Sequence, residues 1–191
     1  MNAENSILMR MFGRPQGFLG HLGGLVMART NRSCARWVVG LLDVQPRDKV
    51  LEVGFGPGVA IQLLTGLASG GYIFGVDPSE EMLAQATRRN KKAIKLRQVD
   101  LRHGSVASLP FADNSFDKAL AINSMQVWPD TLAGLRELRR VLRPGGKAGL
   151  GFTPYSGQSN RGLAETLTSA GFVQARVVEK DKNICVVALK P

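Results

Sequence analysis

The chain is poor in cysteine, histidine and aromatic residues, and it has no long apolar run. Its 191 residues include two cysteines and two histidines, and aromatic residues make up 6%. Cys34 and Cys185 lack both the density of a secreted disulfide scaffold and the spacing of metal ligands. The apolar stretch at residues 22–28 is interrupted by glycines and too short to span a bilayer. We therefore expect a cytoplasmic protein without a metal site, a secretion signal or a transmembrane anchor.

Acidic residues are also scarce: 15 acidic side chains face 25 lysines and arginines, a formal net charge of +10. The excess is concentrated in one segment, where only Asp100 opposes Arg88, Arg89, Lys91, Lys92, Lys95, Arg97 and Arg102. Such a patch suits a weak contact with RNA or an anionic membrane, but a charge run on a helix is more often a solvated face. We favour the solvated face. A chain of this length fits one domain, which can bury roughly 70% of its unfolded surface.

Three alternating glycines follow an apolar strand at residues 50–53. The pattern is Glu52-x-Gly54-x-Gly56-x-Gly58, and residues without Cβ atoms let a ligand lie against bare backbone before a helix begins. Dinucleotide loops usually read Gly-x-Gly-x-x-Gly, whose third glycine would fall on Val59, so a pyrophosphate cradle is disfavoured. A nucleotide-type binding loop is predicted, although a structural turn or another Rossmann-like ligand would fit the glycines alone.

The next apolar strand, at residues 72–76, ends in Asp77, and Ser79 then has the position of a helix cap. A carboxylate at this position can accept hydrogen bonds from both hydroxyls of a ribose. Nicotinamide enzymes also place an acid here, so Asp77 supports a ribose without choosing the cofactor.

Two further patterns follow. Residues 101–111 form a Gly104-Ser105-Val106 segment after a third strand, and residues 115–123 read as a fourth. Leucines at 132, 135, 138 and 142 then recur at helical spacing before Pro144-Gly145-Gly146, which stops a helix.

These four motifs, in this order, resemble those of class I S-adenosylmethionine-dependent methyltransferases, in particular small bacterial-type members of the ubiquinone-methylating kind. The resemblance covers about half of the chain. It implies S-adenosylmethionine as cofactor and S-adenosylhomocysteine as product. The cofactor-binding set that it implies is Glu52, Gly54, Phe55, Gly56, Gly58, Asp77, Pro78, Gly104, Ser105, Val106 and Asn123.

Within that set, the resemblance implies a role for three positions. Glu52 would help to hold the cofactor ammonium group, and Asp77 the ribose. Ser105 stands where many members carry an aspartate that accepts from the adenine amino group. A serine is a weaker partner, although the backbone N–H of Val106 could still contact the ring.

The order of predicted elements gives the fold class. Strands alternate with helices, which predicts an α/β, Rossmann-like, doubly wound and mostly parallel sheet of seven strands in a three-layer α/β/α arrangement. The last two strands are joined by a short turn and must be antiparallel. Strands are predicted at 49–54, 72–77, 97–104, 115–123, 147–153, 173–178 and 184–189, and helices at 58–68, 79–93, 130–142 and 160–170.

Residues 1–48 lie outside this alternation. They are rich in methionine, phenylalanine and leucine among arginines, which predicts a helical lid or cap over the acceptor, while residues 49–191 form the cofactor-binding part of the same domain. A core-capping helix is an equal alternative, and a membrane-surface helix with basic edges is a weaker one.

Few residues qualify as catalytic. The cofactor's methyl group is already electrophilic, so alignment and exclusion of water suffice. His21 in the predicted lid and Tyr155 after the fifth strand are candidate catalytic groups, although a lone histidine is more often structural. Gln126, Trp128 and Tyr155 are candidate acceptor-pocket residues, and Trp128 would either stack on a flat substrate or be an ordinary core aromatic.

The predicted function is methyl transfer to a small, apolar or aromatic acceptor. The fourth strand ends without the Asn-Pro-Pro-aromatic pattern of enzymes that methylate exocyclic base amines, and the chain has no Pro-Cys pair for cytosine C5 chemistry. Alternatives are an enzyme drawn to lipid, quinone or RNA by its basic surface, a non-catalytic cofactor-binding module and, least favoured, a nicotinamide oxidoreductase. No motif indicates an oligomeric state.

Overall fold

The computed structural model describes residues 31–191, so His21 and the greater part of the predicted lid lie outside the described residues. Seven strands form one sheet: β1 (Lys49–Val53), β2 (Tyr72–Asp77), β3 (Val99–His103), β4 (Phe116–Ile122), β5 (Leu142–Phe152), β6 (Val173–Lys180) and β7 (Asn183–Leu189). Their order is β3-β2-β1-β4-β5-β7-β6. β1 to β5 are parallel, and β7 runs antiparallel to both β5 and β6. The predicted doubly wound sheet with an antiparallel carboxyl-terminal hairpin is confirmed.

Helices cover both faces of the sheet. Within the described residues they are α1 (residues 31–42), α2 (Val59–Leu67), α3 (Glu80–Arg89), α4 (Lys91–Lys95), α5 (Thr131–Val141) and α6 (Leu163–Ser169). Apolar residues of α1 to α4 pack in one core cluster, and those of α5 and α6 pack in the other. The three-layer arrangement is therefore also confirmed. None of the helices in this part of the chain is long and apolar enough to cross a bilayer.

The chain changes direction across the sheet between β1 and β4. β2 and β3 extend from one side of β1, while β4 and the later strands extend from the other. In open α/β sheets, a ligand crevice lies at the carboxyl ends of the strands at such a switch point. The glycine-rich loop that follows β1 lies at this crevice.

One predicted helix is divided. The sequence predicted a continuous helix over residues 79–93, but the structure ends α3 at Arg89 and begins α4 at Lys91. Asn90 lies between them, 4% exposed, and its Nδ2 donates to the carbonyl oxygens of Gly58 (3.2 Å) and Ala86 (2.9 Å). Asn90, at the break between the two helices, therefore connects them to the glycine-rich loop by a hydrogen bond. The predicted cap is confirmed, since the Ser79 side chain accepts from the backbone N–H of Met82.

The fifth strand begins earlier than the predicted residue 147. β5 starts at Leu142, directly after α5, and a bulge absorbs the Pro-Gly-Gly turn: Phe116 pairs with Leu142, but Lys118 pairs with Lys147. Gly145 has φ +74° and donates its N–H to the carbonyl of Lys190. The turn predicted to end the helix is thus bonded into the sheet.

The described part of the predicted lid is a core helix. Cys34, Val38 and Leu42 of α1 are fully buried against the sheet. A Cβ atom at Gly149 would lie 3.0 Å from Leu42 Cδ2, and one at Gly151 would collide with Val38, so these two glycines of β5 allow the close approach. This agrees with the core-capping alternative for residues 31–42, and a lid formed by the preceding residues stays a prediction.

Candidate functional site

Two glycines of the glycine-rich loop lie where a side chain would not fit. Gly54, Gly56 and Gly58 have φ values of +72°, +51° and +76°, in the left-handed region that glycine adopts freely. A Cβ atom on Gly54 would collide with the Ser124 side chain, and one on Gly58 would lie 2.7 Å from Asn90 Nδ2. Both glycines are therefore required by close packing as well as by backbone conformation.

A cleft opens beside this loop at the carboxyl ends of β1 and β4. Its empty volume, open mouth included, is about 330 Å³. Five elements contribute to its walls: α1, β1, the loop, α2 and the end of β4. The lining residues are Asn31, Ala35, Glu52, Gly54, Phe55, Gly56, Pro57, Val59, Ala60 and Ile122. Phe55, 3% exposed, packs its ring on Gly75 of β2, so at this position the backbone is the part suited to a ligand.

Glu52 places a buried carboxyl group in the wall of the cleft. Its side chain is 3% exposed, and Oε2 has no hydrogen-bond partner among the described residues. Burial, and secondly the charge of Asp77, hold the pKa of this carboxyl well above its usual range, while the backbone N–H of Ile61 acts in the opposite direction. A buried carboxyl oxygen without a partner, facing a cleft, suits a cationic ligand group such as an ammonium.

Asp77 lies at the end of β2, beside the loop. Its Oδ2 accepts from the backbone N–H of Gly56 (2.8 Å), and its Oδ1 accepts from that of Ser79 (2.9 Å). Burial raises the pKa of Asp77, while these two N–H groups and the nearby His103 act to lower it. Each carboxylate oxygen has a second lone pair, so the group can accept two further hydrogen bonds, as a ribose diol requires.

The segment predicted to contact adenine follows β3. The N–H of Gly104 donates to the Asp77 carbonyl (3.0 Å), which places the segment beside Asp77. The Ser105 hydroxyl accepts from the N–H of Ala107 (3.2 Å) in a local turn, and the Val106 side chain, 5% exposed, belongs to the core. Pro78 is exposed, and its carbonyl oxygen lies 3.0 Å from His103 Nε2.

Asn123 joins three elements at the end of β4. Its Nδ2 donates to Asn31 Oδ1 (2.9 Å) of α1 and to Thr153 Oγ1 (2.9 Å) after β5, and its Oδ1 accepts from the N–H of Thr153 (2.8 Å). Its φ of +49° is one that asparagine tolerates better than most residues. Sequence reasoning identified Asn123 but missed Asn31, Thr153 and Asn90. Thr153 could have been found as a polar residue ending a neighbouring strand, whereas nothing in the sequence distinguishes Asn31 or Asn90.

The predicted acceptor-pocket residues have different environments. Trp128 donates its indole N–H to Ser124 Oγ (2.9 Å) and packs over Gly134 of α5, which agrees with the core-aromatic alternative. Gln126 Oε1 is buried and has no partner within the described residues. Tyr155 is 86% exposed, and Val127 is 47% exposed.

The predicted basic patch is not one uniform surface. Arg102 pairs with Asp100 (2.7 Å) and lies 4.9 Å from the centre of the Phe111 ring. Arg89 is partly buried, and its pKa is lowered by that burial and by the charge of Arg32. The lysines of α4 and Arg97 are exposed. Among residues 31–191, no cluster of three histidine, cysteine or acidic side chains could hold a metal ion.

Comparison with known proteins identifies the family. Residues 51–150 match the family model described as a methyltransferase domain. The uncharacterized methyltransferase YdaC of Bacillus subtilis (strain 168) is 30% identical over 182 residues, covering 89% of this chain and 98% of that relative. The demethylmenaquinone methyltransferase of Bacillus mycoides (strain KBAB4) is 32% identical over 127 residues, 66% of this chain and 53% of that protein.

Solved structures agree on the fold. The crystal structure of a SAM-dependent methyltransferase from Aquifex aeolicus superimposes with a TM-score of 0.74 at 24% identity, covering 82% of this chain and 89% of the other.

Proposed function

This chain belongs to the class I S-adenosylmethionine-dependent methyltransferases, and we propose that it methylates a small, apolar or aromatic acceptor. The cofactor class follows from the family, whereas the residues that hold the cofactor and the nature of the acceptor are our proposals. The buried, unpartnered oxygen of Glu52 and the glycine-rich loop beside it support the cofactor site.

The described residues suit the parts of the cofactor in a fixed order. The Glu52 carboxylate would accept from the ammonium group, which supplies the partner that Oε2 lacks. Gly54 and Gly56 would approach the cofactor through their backbone. Asp77 would accept from the ribose hydroxyls with its remaining lone pairs, and the Val106 N–H would contact adenine, since the Ser105 hydroxyl is engaged locally.

Bound S-adenosylmethionine supplies an electrophilic methyl group on a sulfonium, so the enzyme mainly has to align the acceptor for in-line displacement in a site from which water is excluded. A phenol or quinol acceptor also loses a proton, which a general base would take. The polar junction of Asn123 with Asn31 and Thr153 fixes the ends of β4 and β5 relative to α1. We infer that this junction fixes the strand ends against which an acceptor aligns.

The observation that carries the acceptor class is a pair of exposed apolar side chains on the short turns after β4 and β5. Val127 is 47% exposed and Tyr155 is 86% exposed, on turns at the carboxyl end of the sheet, where the cleft also opens. Exposed apolar side chains at the same end of the sheet as the cleft would be covered by an apolar or aromatic acceptor that extends beyond the cleft. Demethylmenaquinone, which names several of the relatives, is a molecule of this kind.

An acceptor screen tests the proposal. The protein is incubated with methyl-labelled cofactor and, separately, with hydrophobic phenols and quinols, with phospholipid vesicles and with RNA, and S-adenosylhomocysteine release is measured. We expect transfer to the phenol or quinol class. Methyl transfer only to lipid or only to RNA would show that the proposed acceptor class is wrong. No S-adenosylhomocysteine release with any of the three acceptor classes would exclude all of them.

Tyr155 is the described residue that we propose as a proton-handling group, and His21 is the proposed base from outside the described residues. Tyr155→Phe separates the hydroxyl from the ring, and Tyr72→Phe is a matched control because Tyr72 is also exposed but begins β2 at the other end of the sheet. A general base contributes typically 10²–10⁴-fold. Full activity of Tyr155→Phe would remove the hydroxyl from the reaction and leave the ring as a contact.

A further inference from the structure

Three exposed large apolar side chains lie at the end of the sheet where the parallel strands begin, opposite to the cleft. Leu96 is 68% exposed, Tyr72 is 50% exposed and Leu67 is 46% exposed. Leu67 ends α2, Tyr72 begins β2 and Leu96 precedes β3, so all three lie near the amino ends of neighbouring strands. Single exposed apolar residues are ordinary on protein surfaces, but a group of them at one edge indicates a contact site.

Hydrogen bonds hold these three segments together. The Nε2 of Gln98 donates to the carbonyl oxygens of Thr65 (3.0 Å) and Ala68 (2.9 Å), which fixes the Leu96 turn against the end of α2. The N–H of Ile73 donates to the Gln98 carbonyl (2.9 Å), which joins the same turn to β2. The apolar side chains are therefore carried on one bonded framework.

Basic residues flank Leu96 along the chain. Lys92, Lys95 and Arg97 are exposed, and none of them forms an ion pair or a side-chain hydrogen bond within residues 31–191. Arg47 and Lys49, which precede and begin β1, add two exposed positive charges at the same edge. We call the six residues Leu67, Tyr72, Lys92, Lys95, Leu96 and Arg97 the amino-edge surface.

We propose that the amino-edge surface binds an anionic phospholipid membrane. Unpaired lysine and arginine side chains are attracted to an anionic leaflet, and leucine and tyrosine among them gain by entering the headgroup region. Nucleic acid would pair with the basic side chains but would leave the apolar side chains of Leu96 and Leu67 exposed to water. An anionic lipid surface would contact both the basic and the apolar side chains.

The position of the surface has a consequence for the enzyme. β1 and β2, of five and six residues, separate it from the cleft, a distance of roughly 17–20 Å at about 3.3 Å per residue. A membrane bound here faces the amino ends of the strands, and the cleft faces away from it. The surface would therefore attach the enzyme without covering the cleft. This proposal does not rest on the proposed acceptor class.

Vesicle sedimentation tests the proposal with the full chain. We expect binding to phosphatidylcholine vesicles that contain about one third phosphatidylglycerol, weaker binding at about 0.5 M salt, and little binding to pure phosphatidylcholine. The double variant Lys92→Gln/Lys95→Gln should bind about 25-fold more weakly, at about fivefold for each basic side chain removed. Lys180→Gln/Lys182→Gln changes the net charge equally on the exposed β6–β7 turn and should bind as the unmodified chain does.

Leu96→Ser distinguishes lipid from other polyanions because it leaves the charge unchanged. It should weaken vesicle binding by about tenfold and leave the affinity for an RNA oligonucleotide unchanged. Equal loss in both double variants, absence of binding to anionic vesicles at low salt, or tighter binding of RNA with no effect of Leu96→Ser would each overturn the proposal. Unchanged S-adenosylhomocysteine affinity in every variant would show that the fold and the cofactor cleft are intact.

Discussion

Replacing Glu52 by glutamine should make the free protein more stable and the cofactor complex weaker. The carboxyl group is 3% exposed, and its Oε2 has no hydrogen-bond partner among the described residues. Burial and the nearby Asp77 raise its pKa well above the ordinary value of 4.5. Glutamine has almost the same shape and keeps an acceptor oxygen, but it cannot ionise.

The sign of the effect follows from proton linkage. Between the unfolded pKa of Glu52 and its raised folded pKa, the folded chain binds more protons than the unfolded chain. The free energy of unfolding therefore falls as pH rises through this window, by up to about 1.4 kcal/mol per pH unit. Glu52→Gln removes this loss. The variant's stability advantage should be absent below the unfolded pKa and should grow with pH above it until the folded pKa is reached.

Cofactor binding should respond in the opposite direction. Hydrogen bonds to charged groups contribute about 1.5–3 kcal/mol, so loss of the proposed ammonium contact should weaken S-adenosylmethionine binding by about 10- to 150-fold. Urea unfolding at several pH values and calorimetric titration measure the two effects. Glu165→Gln, an exposed position in α6, should change stability by no more than about 0.5 kcal/mol. A variant with the unmodified chain's pH dependence and cofactor affinity would refute the reasoning.

Three further perturbations have defined outcomes. Gly54→Ala should abolish cofactor binding and lower the free energy of unfolding by about 2 kcal/mol or more, because its Cβ would collide with Ser124 and its φ is left-handed. The control Gly66→Ala lies in α2, where an added Cβ would meet no atom within 4 Å, and should raise the free energy of unfolding by about 0.5–1 kcal/mol. Urea unfolding compares the two variants. Asn123→Ala should lower the free energy of unfolding by about 2–4 kcal/mol through three lost hydrogen bonds; an unchanged midpoint would contradict this. Burial raises the pKa values of Cys34 and Cys185 to about 11 and about 12, so iodoacetamide near neutral pH should label neither until the chain unfolds; labelling of the folded chain by mass spectrometry would disagree.

Local patterns were sufficient to predict the sheet and the loop. The alternation of apolar strands and amphipathic helices predicted the layer order, and the glycines at 54, 56 and 58 predicted the loop beside which the structure has a cleft. Asp77 could be predicted because a carboxylate directly after a strand can only lie at the carboxyl edge of a parallel sheet. The structure adds that Asp77 accepts from the N–H groups of Gly56 and Ser79, so it also shapes the loop.

What the sequence did not reveal depends on contacts between distant residues. Asn90 interrupts a helical pattern because its side chain bonds to Gly58, 32 positions away. The junction of Asn31 and Asn123 spans 92 positions and joins α1 to the sheet. The early start of β5 depends on a bulge whose Gly145 N–H bonds to Lys190. None of these has a local signature, since asparagine and glycine occur in many turns with no such role.

The most direct test of the account is calorimetric titration with S-adenosylhomocysteine and S-adenosylmethionine, with NAD as the control ligand, of the unmodified chain and of Asp77→Ala. Both cofactor forms should bind at one site, and NAD should not bind. Loss of two hydrogen bonds to a buried carboxylate should weaken binding at least about 100-fold in Asp77→Ala, with the fold checked by circular dichroism because two backbone N–H groups lose their acceptor. A folded Asp77→Ala variant that binds S-adenosylhomocysteine as tightly as the unmodified chain, or an unmodified chain that binds NAD equally well, would contradict the proposed site.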